Sequence, residues 1–385
     1  MNDETDGPSD AGAATTASAG STPVPDRPLV ALVMAGGTGT RLYPASRPGR
    51  EKQFLDFGTG RSLLERTVDR AAFADRTFVL ASPATAERAR GTVADLDEEA
   101  TVLVEPAARD TGPALVYAAH RVREAVGECV LCCLPSDHHV GEGFAATMRQ
   151  AAGVAVDTDG LVLLGIEPDS AATGYGYLKP GPERTTDTGA DGTSYHPVER
   201  FYEKPDAGAA ARYRQSGYLW NAGTFAWTPG ALLAAARDSP LAPLVDACED
   251  GVPETGYDEV AGVSIDYAVL ERHGGAEDDE DAGPHDVFVV PAAFDWDDLG
   301  TWDALDSLLD READDTLVAG EGGALAIDGE GCTLAAGPDA HVTAVDCDGL
   351  VVATYDGRTL VIPERRADRA REVVDALRDR GEYPE

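Results

Sequence analysis

The sequence predicts an α/β fold: a doubly wound, mostly parallel sheet followed by a small β-rich appendage. Two observations carry this. From residue 29 to about 166, short apolar runs alternate with helical patterns, and strands joined through helices lie parallel. From about residue 315, short Val/Leu/Ala strands spaced by Gly and Asp replace that alternation. The length, 385 residues, allows about two domains.

Residues 1–27 are mostly Ala, Ser, Thr, Gly, Asp and Pro. With neither a basic start nor an apolar stretch, they read as a disordered acidic tail rather than a secretory signal. A catalytic domain is expected over 28–314. It opens on Leu29–Ala35, a continuous apolar run suited to a strand covered on both faces. After a Gly-rich turn, Ser62-Leu-Leu-Glu65 is a capping box, with Leu63, Leu64, Val68 and Ala72 at helical spacing. Strands then follow at 77–82, 101–105, 128–134 and 161–166, with helices at 84–94, 113–126 and 143–155 between them. Past 170, aromatic and Gly-rich strands at 175–178, 198–203 and 219–227 read as a mixed-sheet insertion or lid. Glu277–Asp281 is wholly acidic and reads as a solvated loop; Val287–Val290 is a last strand and 301–309 a helix. In the appendage, 315–385, six short strands precede a helix over 365–380, with no strict repeat. It is too short for a jelly roll with its own core.

Charge narrows the partners. Asp and Glu number 69 against 31 Lys and Arg, a net −38. Such a surface repels nucleic acid and anionic membranes, and no stretch approaches the ~20 apolar residues of a membrane span. The acidic excess points to a salt-rich cytosol, where the Debye length falls to ~3 Å at molar salt. Only Lys52, Lys179 and Lys204 are lysines. The Cys129, Cys132 and Cys133 group sits in an apolar strand, where Cys acts as a small hydrophobe, and no second pair offers zinc-ligand spacing.

Chemistry enters at Ala35-Gly-Gly-Thr-Gly-Thr-Arg-Leu42. Small residues at a strand end let backbone N–H groups approach phosphate oxygens. No Gly-Lys-Ser/Thr follows, so this is not a kinase-type P-loop, and Leu42 stands where a dinucleotide fingerprint has its third Gly. Arg41 and nearby Lys52 suit a polyphosphate clamp.

These residues, with Ser46-Arg47 and Lys52-Gln-Phe-Leu55, resemble the signature of the sugar-1-phosphate nucleotidyltransferases. More narrowly, they resemble the mannose-1-phosphate guanylyltransferases of bacterial and archaeal type. Further motifs agree in order: Arg109–Pro113, Leu134–His138, Gly174-Tyr-Gly176, Phe201–Pro205, Leu219–Gly223, Ser264–Ala268 and Trp296–Trp302. Together they cover roughly residues 28–310.

The resemblance implies a Rossmann-like core and the reaction of GTP with mannose 1-phosphate to GDP-mannose and diphosphate, in the cytoplasm, by a homodimer. It implies Mg²⁺ on Asp137 and Asp298, consistent with an ion that takes one or two carboxylates plus substrate phosphates. Catalytic roles fall on Arg41, Lys52, Asp137 and Lys204. The nucleotide falls to Ala35, Gly36, Gly37, Thr38, Gly39, Thr40, Arg41 and Lys52, and its base to Glu105, Thr111 and Gly112. The sugar phosphate falls to Gly174, Tyr175, Gly176, Glu203, Lys204 and Asn221. His138 and His139 read as orienting or structural, Trp220, Phe225 and Trp227 as packing, and Lys179 as surface. Two departures stand out: Glu51 where the family has Pro, and Asp110 where it has Asn. Each adds negative charge beside the expected nucleotide. The alternatives are another sugar 1-phosphate with UTP or dTTP, and a non-catalytic nucleotide-sugar sensor.

Overall fold

The structure, a computed structural model, describes residues 27–37, 40–186, 192–274, 287–309 and 315–383. The expected tail up to residue 26 and the acidic loop Glu277–Asp281 lie outside them.

The chain order is β1 (Leu29–Met34), α1 (Leu63–Arg70), β2 (Arg76–Ala81), α2 (Ala86–Ala94), β3 (Ala100–Val104), α3 (Thr111–Val126) and β4 (Val130–Pro135). Then come β5 (His139–Val140), α4 (Phe144–Thr158), β6 (Leu161–Ile166), β7 (Tyr177–Pro180), β8 (Arg184–Thr185) and β9 (Ser194–Tyr202). Next follow α5 (Ala207–Gln215), β10 (Leu219–Trp227), α6 (Pro229–Arg237), α7 (Ala242–Glu249), α8 (Pro253–Glu259), β11 (Val287–Pro291) and β12 (Trp296–Asp297).

Strand β1 shows why a continuous apolar run was needed. Val30 and Leu32 enter one buried cluster with Leu115 of α3 and Leu244 of α7. Ala31 and Val33 enter the opposite cluster with Leu64 of α1 and Met148 of α4. Ser62 caps α1 as its sequence requires: its side chain accepts from Glu65 N at 3.3 Å, and Glu65 accepts from Ser62 N at 2.6 Å.

The main sheet runs β3-β2-β1-β4-β10-β6-β11-β9-β7. The expectation of a mostly parallel, doubly wound sheet is corrected here: the sheet is mixed. Strands β1 to β4 form a parallel block, and β6 and β11 form another. Between them β10 runs antiparallel to both β4 and β6. The expected lid strands β7 and β9 join the same sheet rather than a separate one. The physical reason is burial: Trp220, Ala222, Phe225, Ala226 and Trp227 of β10 are all buried, which only a central place provides.

After residue 315 the chain winds as a short β-solenoid. Strands β13 (Leu317–Ala319), β15 (Thr333–Ala336) and β17 (Leu350–Tyr355) stack in parallel, and β14 (Gly323–Ile327) and β16 (His341–Val345) stack as a second wall. Antiparallel β18 (Arg358–Pro363) pairs with β17, and a helix over Ala370–Asp379 follows. The repeat is a loose one, without a strict period. Leu317 pairs with Thr333, 16 residues on, and Gly323 with His341, 18 on. Its corners recur as well. Asp328 and Asp346 both take left-handed φ (52° and 54°), as do Gly331 and Gly349 three residues after each, a backbone that Asp and Gly tolerate best.

The solenoid shares a core with the α/β part of the chain. Leu42, Leu55 and Phe57 are buried with Leu299, Trp302, Ala335, Val351 and Tyr355. Among the described residues no helix is long and apolar enough to cross a membrane.

Candidate active site

A cleft of about 320 Å³ opens past the ends of β1 and β4. Open α/β sheets bind ligands outside the carboxyl ends of their strands. The loop after β1 is anchored at Ala35, whose N–H donates to Leu80 O at 2.8 Å. Its carbonyl accepts from Gln53 Nε2 at 2.9 Å and Thr85 Oγ1 at 3.3 Å. Gly36 and Gly37 then line the cleft with exposed backbone. Thr38 and Gly39 lie outside the described residues, and Thr40 opens the single helical turn Thr40–Leu42 that carries Arg41.

Lys52 joins two distant segments. Its side chain is 4% exposed. Nζ donates to Asp137 Oδ2 at 3.0 Å and to the backbone carbonyl of Asp298 at 2.7 Å. Asp137 stands just beyond β4. Burial disfavours its charge, but Lys52 and His138 outweigh burial and hold the carboxyl below its ordinary range. His138 is held below its own range by burial, and its ring accepts from Trp296 Nε1 at 3.3 Å, an orienting role as expected.

The Asp298 carboxylate is held on both oxygens. Oδ1 accepts from Tyr175 O–H at 3.1 Å and Gly300 N–H at 2.9 Å, and Oδ2 from Arg41 Nη2 at 3.2 Å. Arg41, Lys52, Asp137, Tyr175 and Asp298 thus meet at one place. Neighbouring Asp297 instead braces its own turn, accepting from Leu299 N–H at 2.6 Å; burial pushes it up to about 6. Among the described residues no group of three or more metal-binding side chains occurs. Two hard carboxylates fit a Mg²⁺ that completes its shell with waters and phosphate oxygens.

On another wall stands Glu105, 6% exposed. Its Oε2 accepts from Tyr257 O–H at 3.1 Å. Burial pushes its carboxyl up to about 7, against that hydrogen bond. Asp110 takes φ 68° and caps α3, its carboxylate accepting from Thr111 N–H at 2.7 Å. Thr111 lines the cleft, and its Oγ1 accepts from Ile265 N–H at 3.0 Å. Gly112 does not line it. A Cβ there would lie 2.6 Å from Val263 O, so this glycine serves close packing.

Most of the expected sugar residues are tied to one another, and none of them is among the residues lining this cleft. Tyr175 O accepts from Lys204 N–H at 3.2 Å, and Gly176 O from Asn221 N–H at 2.9 Å. A Cβ on Gly176 would come 2.7 Å from Glu203 Oε2, so no larger residue fits beneath that carboxylate. Gly174 has open space around it. Lys204 pairs with Glu203, and its side chain is 60% exposed.

The charge expected from Glu51 at the nucleotide is answered. Glu51 is buried, pairs with Arg88 and accepts from Gly49 N–H at 3.0 Å. Lys179 pairs with Glu199 at the surface, as expected. Sequence reasoning quoted Ser264–Ala268 as a motif but gave Asp266 no role. Asp266 lines the cleft, accepts from Asn221 Nδ2 at 2.8 Å, and is pushed up to about 7 by burial and by Glu203. Its acidity inside an otherwise apolar stretch was the available signal. Gln53, which holds Ala35, was quoted within the Lys52–Leu55 motif without a role, and Tyr257, which holds Glu105, had no signal.

The mixed sheet, the glycine loop at its strand ends and the lysine-bridged aspartates define a nucleotidyl transferase. The chain belongs to that family, matching Nucleotidyl transferase over residues 30–314. It is 32% identical to the xanthan biosynthesis protein XanB of Xanthomonas campestris, over 92% of this chain and 74% of that one. It is 30% identical to a mannose-1-phosphate guanylyltransferase of Sinorhizobium fredii, over 91% and 67%. Among solved structures, one titled mannose-1-phosphate geranyltransferase, from Thermus thermophilus, superposes with a TM-score of 0.75 at 32% identity. The match covers 91% of this chain and 99% of that one.

Proposed function

We propose that this chain is a mannose-1-phosphate guanylyltransferase, converting GTP and mannose 1-phosphate to GDP-mannose and diphosphate. The observation that carries the reading is the convergence of Arg41, Lys52 and Asp298 on Asp137, which lines the cleft. The similarity to guanylyltransferases over more than nine-tenths of the chain supports the substrates.

An oxygen of the sugar phosphate attacks the α-phosphorus, the bond to the bridging oxygen breaks, and diphosphate leaves. No protein nucleophile is required; positioning and charge neutralisation supply the acceleration. Gly36 and Gly37 cradle phosphate oxygens, and Arg41 and Lys52 stabilise the leaving diphosphate. Lys204, held beside Glu203, positions the attacking phosphate. Asp137 and Asp298 would hold Mg²⁺, which supplies charge neutralisation at the phosphates when bound. Glu105 accepts from guanine N1–H and the 2-amino group, which only a carboxylate can do fully.

The test is diphosphate release in molar KCl with Mg²⁺, crossing four nucleotides with mannose and glucose 1-phosphates. Release confined to GTP with mannose 1-phosphate is expected. Release with UTP or dTTP and glucose 1-phosphate would transfer the reading to another branch of the family. No release from folded protein would leave the sensor reading.

Two predictions arise here. Because the Glu105 carboxyl is pushed up to about 7, it is mainly protonated at pH 6 and ionised at pH 8. KM for GTP should fall across that interval. Glu105→Gln should flatten the profile and raise KM about 10- to 100-fold, the loss of a ~1.4–3 kcal/mol hydrogen-bonding partner. A pH-independent KM in the parent enzyme would remove Glu105 from base selection. Secondly, with a net charge of −38, the unfolding midpoint should rise as KCl goes from ~0.1 to ~2 M, since screening shrinks self-repulsion. A midpoint that stays level would count against adaptation to a salt-rich cytosol.

A further inference from the structure

We propose that Asp266 is a specificity-determining residue: together with the Asn221 carboxamide that it orients, its carboxylate holds one hydroxyl of the sugar ring. This rests on the functional reading above and goes beyond it, since it concerns how the sugar is told from its relatives.

The geometry begins at Asn221. The pairing of β10 with β6 shifts register between Asn221 and Phe225, so this stretch leaves the regular ladder. Three bonds then fix the residue. Its backbone N–H donates to Gly176 O at 2.9 Å. Its side-chain Oδ1 accepts from Gly223 N–H at 3.0 Å. Its Nδ2 donates to Asp266 Oδ1 at 2.8 Å. The first two are made to backbone, so the amide cannot flip without setting Gly223 N–H against an amide nitrogen and Nδ2 against no acceptor. Nδ2 carries two protons, and Asp266 takes one.

Asp266 comes from the other direction. It begins the short helical turn Asp266–Leu270, whose Ala268, Val269 and Leu270 are buried and anchor it. Its side chain lines the same cleft as Glu105 and Asp137. A half-buried carboxylate beside Glu203 carries an electrostatic penalty, seen in its upward shift. Within the protein the Asp266 carboxylate is given one side-chain donor, Asn221 Nδ2, and its other oxygen has capacity for a ligand. A hydroxyl supplies what is missing, since it is both donor and acceptor. It can donate to Asp266 and accept the second Nδ2 proton of Asn221. A sugar lacking that hydroxyl would leave a buried acceptor unmet, at a cost of about 10- to 100-fold in transition-state binding.

The experiment measures kcat and KM of the full chain with mannose 1-phosphate and its monodeoxy analogues, for the parent, Asp266→Ala and Asp266→Asn. For the parent, one analogue should be poorer in kcat/KM by about 10- to 100-fold. In both variants that gap should shrink below about threefold, with KM for GTP unchanged. Asp266→Asn keeps a carbonyl for Asn221, so it carries the test if the alanine variant does not fold. A gap that persists in a folded variant, no discrimination by the parent, or a parallel rise in KM for GTP would each overturn the assignment. If the parent turns over no sugar 1-phosphate at all, the proposed function itself falls, and this assignment with it.

Discussion

Replacing Lys52 by alanine is expected to lower turnover about 10²- to 10³-fold, the usual loss when one preorganised charge is removed from a reacting phosphate. Lys52 is the principal counter-charge of Asp137 and also donates to the Asp298 backbone. Its removal therefore acts twice, on the leaving group directly and on both aspartates through position. The sign for pH follows. In the parent, Asp137 sits below its ordinary range and stays charged throughout neutral conditions. Without Lys52, burial is the dominant influence left, so its titration moves upward. The variant should lose its residual activity at a higher pH than the parent when acidified. The fold should survive, because an Asp137 that loses its counter-charge can take up a proton rather than stay charged and unpaired. Diphosphate release at saturating substrates, with a thermal melt of the same sample, makes the measurement. Full turnover in the folded variant would remove Lys52 from the chemistry.

The second large effect concerns a residue that touches no expected ligand. Trp302→Ala is expected to cost ~3–5 kcal/mol of stability, as deletion of a fully buried indole usually does. Trp302 is 0% exposed, and its Nε1 donates to Tyr43 O at 3.0 Å. Its ring meets Phe57 edge-on and lies nearly parallel to Tyr355 of the solenoid, with centroids 6.4 Å away in each case. It therefore ties the Arg41 segment, the Lys52 segment and the solenoid together. Asp298 is four residues upstream, and Leu299 between them is buried at φ 46°, a backbone that a non-Gly residue keeps only when packing holds it. Urea unfolding should show the loss, and kcat should drop at temperatures where the variant is still folded. A loss below about 1 kcal/mol would mean that the solenoid docks loosely.

How much of this was legible depends on the range of the interaction. The capping box at Ser62 and the strand bounds 161–166 and 219–227 were readable, because caps and apolar runs are local. The place of β10 was not. A strand buried on both faces has no alternation to reveal its neighbours, and its direction depends on pairing with residues nearly a hundred positions away. Helices α5 and α6 were missed because their Ala-rich faces give weak periodicity, although Thr228 before Pro229 was a start signal and does cap α6; α7 and α8, eight and seven residues long, are too short to show a period. The solenoid repeat hid behind steps that vary from 16 to 18 residues. In the site, motif order pointed to the Lys52, Asp137 and Asp298 segments, which do meet. Glu51 read as an unanswered charge because Arg88, its partner, lies 37 residues on. Asp266 stood out only as an acid in an apolar stretch, and its role could not be read because its partner, the Asn221 amide, lies 45 residues away.

The shared core beneath Arg41 and Leu299 also says when the site can first exist. A ribosome releases the glycine loop early, yet the side chains that fix Leu42 and Leu299 in place include Ala335, Val351 and Tyr355. A nascent chain that has emerged only through Trp302 holds every expected ligand to nucleotide and metal and still lacks the wall against which they are set. Synthesis must pass Tyr355 before Leu42 and Leu299 can meet all the side chains they are buried among. A chain cut short before that point leaves one side of this shared core, the side beneath Arg41 and Asp298, without its cover.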